Sequence, residues 1–115
     1  MKAIYKMNAN FGRNGNLYGI FIAEKEHVKV LIEKEIEVYF GEVLGKHSDI
    51  SGSLEEKEIE LISEDQNLVK QFHKLKMATG FNPFHYPHLS FEGIEDEDDR
   101  TVLELINEII KLQNE

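Results

Sequence analysis

The sequence predicts an α+β fold, an antiparallel β-sheet with two or three packed helices. Three observations support it. The first half alternates apolar and polar residues in short runs, the signature of half-buried strands. The second half carries two apolar stripes at helical spacing. Between those stripes, Thr79–Ser90 holds both prolines of the chain, two of its seven phenylalanines and two of its five histidines. Proline fixes φ and removes a backbone donor, so neither a helix nor a central strand is expected to run through that loop. A loop this rich in aromatics must bury them or hold them ready for a flat ligand.

Taken in order, Lys2–Met7 sets Ala3, Tyr5 and Met7 against Lys2, Ile4 and Lys6 and reads as an edge strand. Asn8–Asn16 gathers four asparagines and two glycines around Phe11 and Arg13, and its Asn-Gly pair favours a type I′ hairpin. Leu17–Ala23 is too apolar for an exposed strand and is expected mid-sheet. Glu24–Lys34 groups Val28, Leu31 and Ile32 on one helical face. Glu35–Gly41 alternates as a strand, and Gly41–His47 is expected to continue extended, its glycines marking a bulge or a close backbone approach. Ser48–Ser53 reads as a turn and Glu56–Ile62 as another strand, which makes the middle section an antiparallel meander.

Ser63 with Gln66 three residues later fits a capping box, so a helix is expected to start there. Its stripe is Leu68, Val69, Phe72 and Leu75, and it should end near Gly80. Glu92–Asp99 packs six carboxylates into eight residues, with Asp98 or Asp99 placed to cap the last helix. Val102, Leu105, Ile106, Ile109, Ile110 and Leu112 give that helix an apolar face wide enough for both a core and a partner subunit.

The 115 residues suit one domain, residues 1–115, with a single core. Apolar content of 41% and charged content of 30% are ordinary for a globular protein. No cysteine is present, which removes disulfide and thiolate chemistry. No apolar run reaches the ~20 residues that span a bilayer, and Met1–Lys6 does not resemble a signal peptide, so a cytoplasmic protein without a membrane partner is expected. A net charge of −9, with Arg13 and Arg100 as the only arginines, repels nucleic-acid polymers. A small anion is still possible where local donors converge, and an arginine's planar fork suits phosphate.

Several constellations invite chemistry. His85-x-x-His88 has metal-ligand spacing, but Pro87 disfavours the helix that would put both on one face, and loop hydrogen bonding is the simpler reading. His47-Ser48-Asp49 holds the side-chain types of a hydrolase triad without a nucleophile elbow or oxyanion hole, so it reads as a turn. The acidic run suits a solvated face better than magnesium. Arg13 between Gly12 and Gly15 reads first as a hairpin tip and second as an anion nest. Phe72 alone reads as core, Asn82 before Pro83 as a turn former, and Arg100 as a cation opposing a helix dipole. Together those three supply a ring, an amide for a base edge and a phosphate clamp, the parts a purine nucleotide needs.

The opening strand with Gly12-Arg13-Asn14-Gly15, the run LYGIFIA, Tyr39–Ser48, Gly80-Phe81-Asn82-Pro83-Phe84 and Arg100 together resemble the small phage proteins that counter the bacterial Thoeris defence. The resemblance covers most of the chain. It implies a sponge, a homodimer or higher homo-oligomer that binds a glycocyclic ADP-ribose signal in pockets at the dimer interface and releases it unaltered. Some members of that family also take up cyclic oligonucleotides. The family pattern of aromatic, asparagine and arginine falls on Phe72, Asn82 and Arg100, with Phe81 or Phe84 as alternative stacking rings. Arg13, Lys46 and His47 are secondary candidates. A sponge requires no catalytic residue, metal or cofactor, and none is expected. If phage-encoded, the protein would act in the host cytoplasm. The competing readings are a small nucleotide hydrolase using His47 or the acidic run with a metal, and a protein-interaction module built on the last helix.

Overall fold

The computed structural model describes residues 1–43, 49–89 and 100–114. Strands β1 (Lys2–Asn10) and β2 (Asn16–Glu24) form a long antiparallel hairpin, paired from Lys2↔Glu24 to Asn10↔Asn16. Helix α1 (Lys25–Glu33) follows directly, then β3 (Glu37–Gly41) and β4 (Ile50–Ser53), which pair with each other. Strand β5 (Ile59–Ser63) returns to the free side of β1. Helix α2 (Gln66–Lys74), the two-residue β6 (Thr79–Gly80) and helix α3 (Val102–Gln113) complete the order. The fold is α+β, with a four-stranded antiparallel sheet in the order β5-β1-β2-β6 and a separate β3-β4 ladder.

Alternation builds the main core. Ala3, Tyr5, Met7 and Ala9 on β1 share a face with Leu17, Phe21 and Ala23 on β2, and that face meets Leu31, Ile36, Val38, Val102, Leu105 and Ile106. The opposite face is also covered at one end. Ile4 packs with Val69 and Phe72 of α2, flanked by Ile20 and Ile22. Because β1 is flanked by strands and its Ile4 side carries a helix, it is an interior strand and not the edge its lysines suggested.

Other local expectations give way to tertiary structure. The β1–β2 connection is a five-residue loop around a 3-10 turn at Gly12–Asn14, not a two-residue type I′ turn. Phe11 N–H donates to the Gly15 carbonyl at 2.9 Å and closes that loop. Ser51, Gly52 and Ser53 have turn composition, yet β4 forms because Ile50 is buried and the ladder to β3 is completed. The chain leaves β3 at a bulge on Gly41 (φ +79) and turns at Glu42–Val43; the rest of the stretch expected to stay extended, residues 44–47, lies outside the described residues. Residues Glu56–Glu58 form a 3-10 turn, and β5 then pairs with β1, so the middle section is not a meander.

The helix caps also shift. Ser63 is the last residue of β5 and sits in the ladder opposite Ile4, so the cap of α2 moves to Asp65, whose Oδ1 accepts from Asn67 N–H at 2.9 Å. Helix α2 stops at Lys74, well before Gly80. Helix α3 is capped by Thr101, not by Asp98 or Asp99: Thr101 Oγ1 accepts from Glu104 N–H at 3.2 Å, and Glu104 Oε1 accepts from Thr101 N–H at 3.1 Å. Its apolar face is largely spent on its own chain, with Val102, Leu105, Ile106 and Ile109 buried and Leu112 exposed. Among the described residues, no helix is long and apolar enough to cross a membrane.

The proline loop is stitched in on three sides. Phe81 N–H donates to Tyr18 O beyond the Gly19↔Gly80 pair. Tyr39 N–H donates to Pro87 O and Leu89 N–H to Glu37 O, both at 2.9 Å, which places residues 87–89 along the second edge of β3. Val102 N–H donates to Tyr86 O at 2.8 Å, and Pro87 bridges Thr101. The loop thereby ties β2, β3 and the start of α3 together.

Candidate functional site

The loop's own chemistry sorts its rings. Asn82 Oδ1 accepts from Phe84 N–H at 3.0 Å and caps a 3-10 turn, Pro83–His85, in which Pro83 takes the N1 position that tolerates a missing donor. The turn drives Phe84 inward, edge-on to Phe21 with ring centroids 6.1 Å apart and tilted against His27 at 6.4 Å. It leaves His85 exposed. Phe81 goes elsewhere, into an aromatic cluster with Phe40 and Tyr86 that Phe11 joins edge-on to Phe40.

Above Phe84 lies a cleft of about 570 Å³. Its floor is apolar: Phe21, Ile22 and Ala23 from β2, Phe84 from the loop, Phe72 from α2 and Leu103 from α3. Its rim is cationic and imidazole-rich, with Lys2 from β1, His27 from α1, His73 from α2, Lys76 beyond α2, and His85. Asn82 contributes the amide. Among the described residues, the one lining carboxylate is Glu24, which accepts a hydrogen bond from the Met1 amino group at 2.8 Å. That bond, foremost, holds the Glu24 carboxyl below the usual carboxylate range, against the opposing effect of its burial.

Lys76 has an unusual backbone. Past the end of α2, Lys76 N–H donates to His73 O and Met77 N–H donates to Phe72 O, both at 3.1 Å, the bonds of a left-handed helix terminus. Lys76 occupies that terminus with φ +52, where glycine is the easy residue. Glu35 does the same after α1, at φ +49, away from the cleft.

The sequence-derived candidates divide. Phe72, Asn82 and Phe84 line one cleft. Phe72 and Phe84 are only 5% and 4% exposed, so their rings form walls and not open stacking faces. Arg100 is not among the lining residues; its carbonyl accepts from His88 N–H beside β3. Arg13 sits exposed at the β1–β2 tip, and Phe81 lies in the second aromatic cluster. Lys46 and His47 lie outside the described residues, as does the acidic run. His85 lines the cleft, whereas His88 is buried with its Nδ1 against Leu89 O, so the two do not share a site. Among the described residues, no group of three or more acidic or histidine side chains is arranged to hold a metal ion.

Lys2, His27 and the His73–Lys76 pair carry no common motif in the sequence, since they reach the cleft from β1, α1 and the end of α2. The readable signal was partial: Phe72, His73 and Lys76 sit one and three residues apart at a helix end. Comparison of the chain with models of protein families, with curated proteins and with solved structures gives no significant match.

Proposed function

We propose that the protein binds a nucleotide-sized anion in this cleft and holds it unaltered, acting as a sponge for a cyclic ADP-ribose-type signal such as glycocyclic ADP-ribose. The observation that carries the reading is the meeting of Phe72, Phe84 and Asn82 with Lys2 and Lys76 in one cleft of a chain whose net charge is −9. A cleft of about 570 Å³ lies within the range of small-molecule sites, roughly 300–1,000 Å³. Its apolar floor accepts a base and ribose. Asn82, its Oδ1 engaged by Phe84 N–H, has its NH₂ group left to donate to a base edge. The acidic exterior is screened within ~8 Å at cellular salt, so local cations govern the rim.

In this reading the stacking role assigned to Phe72 becomes a wall contact, and phosphate falls to the rim cations instead of Arg100. The homodimer, the cytoplasmic setting and the counter-defence role belong to the same proposal. The reading in which α3 recruits a protein has less apolar surface to draw on, because Val102, Leu105, Ile106 and Ile109 are buried within the chain and Leu112 is exposed.

The test is incubation with cyclic ADP-ribose isomers, followed by removal of free ligand, denaturation and analysis of what is released. Intact ligand in stoichiometric amount is expected. Recovery of a hydrolysed product, or no retained ligand, would overturn the proposal. Native mass spectrometry of the same sample reports subunit number together with the ligand.

A further inference from the structure

Three of the five histidines of this chain, His27, His73 and His85, converge on one cleft from α1, α2 and the proline loop. A binding wall needs no such convergence. We infer that these imidazoles, with Lys2 and Lys76, are the anion-holding rim of the cleft, and that it captures a pyrophosphate diester together with protons. This rests on the cleft being the ligand site proposed above, and it names the chemical group the site grips.

The electrostatics give the direction. Among the described lining residues, with neutral imidazoles, Lys2 and Lys76 already outweigh Glu24, whose charge the Met1 amino group also offsets. Each imidazole that gains a proton adds a positive charge and a second N–H donor. Imidazoles ordinarily change charge between pH 5 and 8, while ammonium groups and ionised carboxylates there do not. Bound phosphate favours the charged imidazole and so raises its pKa in the complex. By linkage, affinity is greatest at pH values below the free imidazole's titration and declines as pH rises through the complex's titration.

Among the described residues, three charged side chains line the cleft with these imidazoles. Lys2 lies on β1, Glu24 with the Met1 amino group at the β2–α1 junction, and Lys76 beyond α2, while α3 contributes the apolar Leu103. His27 also stands against the Phe84 ring, which fixes the inner end of the rim. His73 and His85 are exposed at its mouth. Lys76, just past the end of α2 in a left-handed backbone conformation, also lines the cleft.

ADP-ribose is the appropriate probe, because its phosphates are diester-like and hold their charge across the range tested; adenosine serves as the uncharged control. Calorimetric titration of the whole protein at pH 6 and pH 8 should give ADP-ribose affinity at least about tenfold higher at pH 6, with net proton uptake seen as a buffer-dependent heat. Adenosine affinity should be flat. The His73→Gln/His85→Gln variant replaces two exposed side chains, so it should fold normally and should lose most of the pH dependence. Equal ADP-ribose affinity at both pH values overturns the histidine role and leaves the cleft as a ligand site. The same is true if the variant keeps the full pH profile, or if adenosine shows an equal shift. Failure of both ADP-ribose and cyclic ADP-ribose to bind at either pH overturns this inference and the proposed function together.

Discussion

Gly19 on β2 and Gly80 on β6 face each other so closely that neither has room for a side chain. A Cβ on Gly19 would collide with the Phe81 carbonyl oxygen, and one on Gly80 with that of Tyr18. Gly80 also needs its φ of +74. This glycine pair is the point where the proline loop joins the main sheet. Gly19→Ala should therefore push β6 off β2, at a cost of about 1–3 kcal/mol. Thermal unfolding should show Tm lower by roughly 4–12 °C. An unchanged Tm would mean that the loop is held by its β3 and α3 contacts alone.

The cap of α3 gives a second, smaller effect. Thr101 exchanges hydrogen bonds with Glu104 and also sits in the bridge to Pro87, so it anchors both the helix and the loop. Thr101→Ala should cost about 1 kcal/mol, and Thr101→Ser should restore most of it. Chemical denaturation of the two variants decides the matter: equal losses in both would assign the effect to the lost methyl group and not to the cap.

Local pattern carried the two longest strands, the three helices and the α+β class, because each has a periodic apolar face long enough to read. What it missed depended on partners distant in sequence. Lys2 and Lys6 look like edge residues, but β5 pairs with that strand from more than fifty positions away. Ser63 would cap α2 were its backbone not committed to the ladder opposite Ile4. Thr101-x-x-Glu104 is a capping box in plain view, overshadowed by the carboxylates before it. The cleft is half legible: residue type singles out Phe72, Asn82 and Phe84, while its lysines and imidazoles come from four separate parts of the chain and share no motif. Arg100 has the chemistry to bind phosphate, which says nothing of where the fold puts it.

Tyr5 links the core to alkaline stability. It is 5% exposed and lies near-parallel to Phe21 with ring centroids 6.5 Å apart, and burial, the main cause, pushes its phenol above the usual tyrosine value. A raised folded-state pKa means that its contribution is fully present below the unfolded value near 10 and is lost as pH climbs through the folded value. Tyr39, raised chiefly by a hydrogen bond to Asp49, contributes in the same direction. Denaturant unfolding between pH 8 and 11 should show wild-type stability falling above about pH 10. Tyr5→Phe should fall less steeply; parallel curves for the two proteins would remove Tyr5 as a cause.

Lys76 offers the sharpest separation of stability from binding. Its left-handed backbone costs a non-glycine residue about 1 kcal/mol, so Lys76→Gly should stabilise the fold by that order. The same change removes a rim cation, so the affinity for ADP-ribose should fall several-fold. Arg100→Ala, at a residue outside the cleft lining, should leave that affinity within about twofold. Tm and ADP-ribose affinity measured on both variants give a result that a purely structural lysine cannot imitate, because relief of strain alone raises Tm and leaves binding intact. If Lys76→Gly binds as wild type while Arg100→Ala does not, the phosphate is held beside α3's first turn, and the cleft's lysines are surface charge.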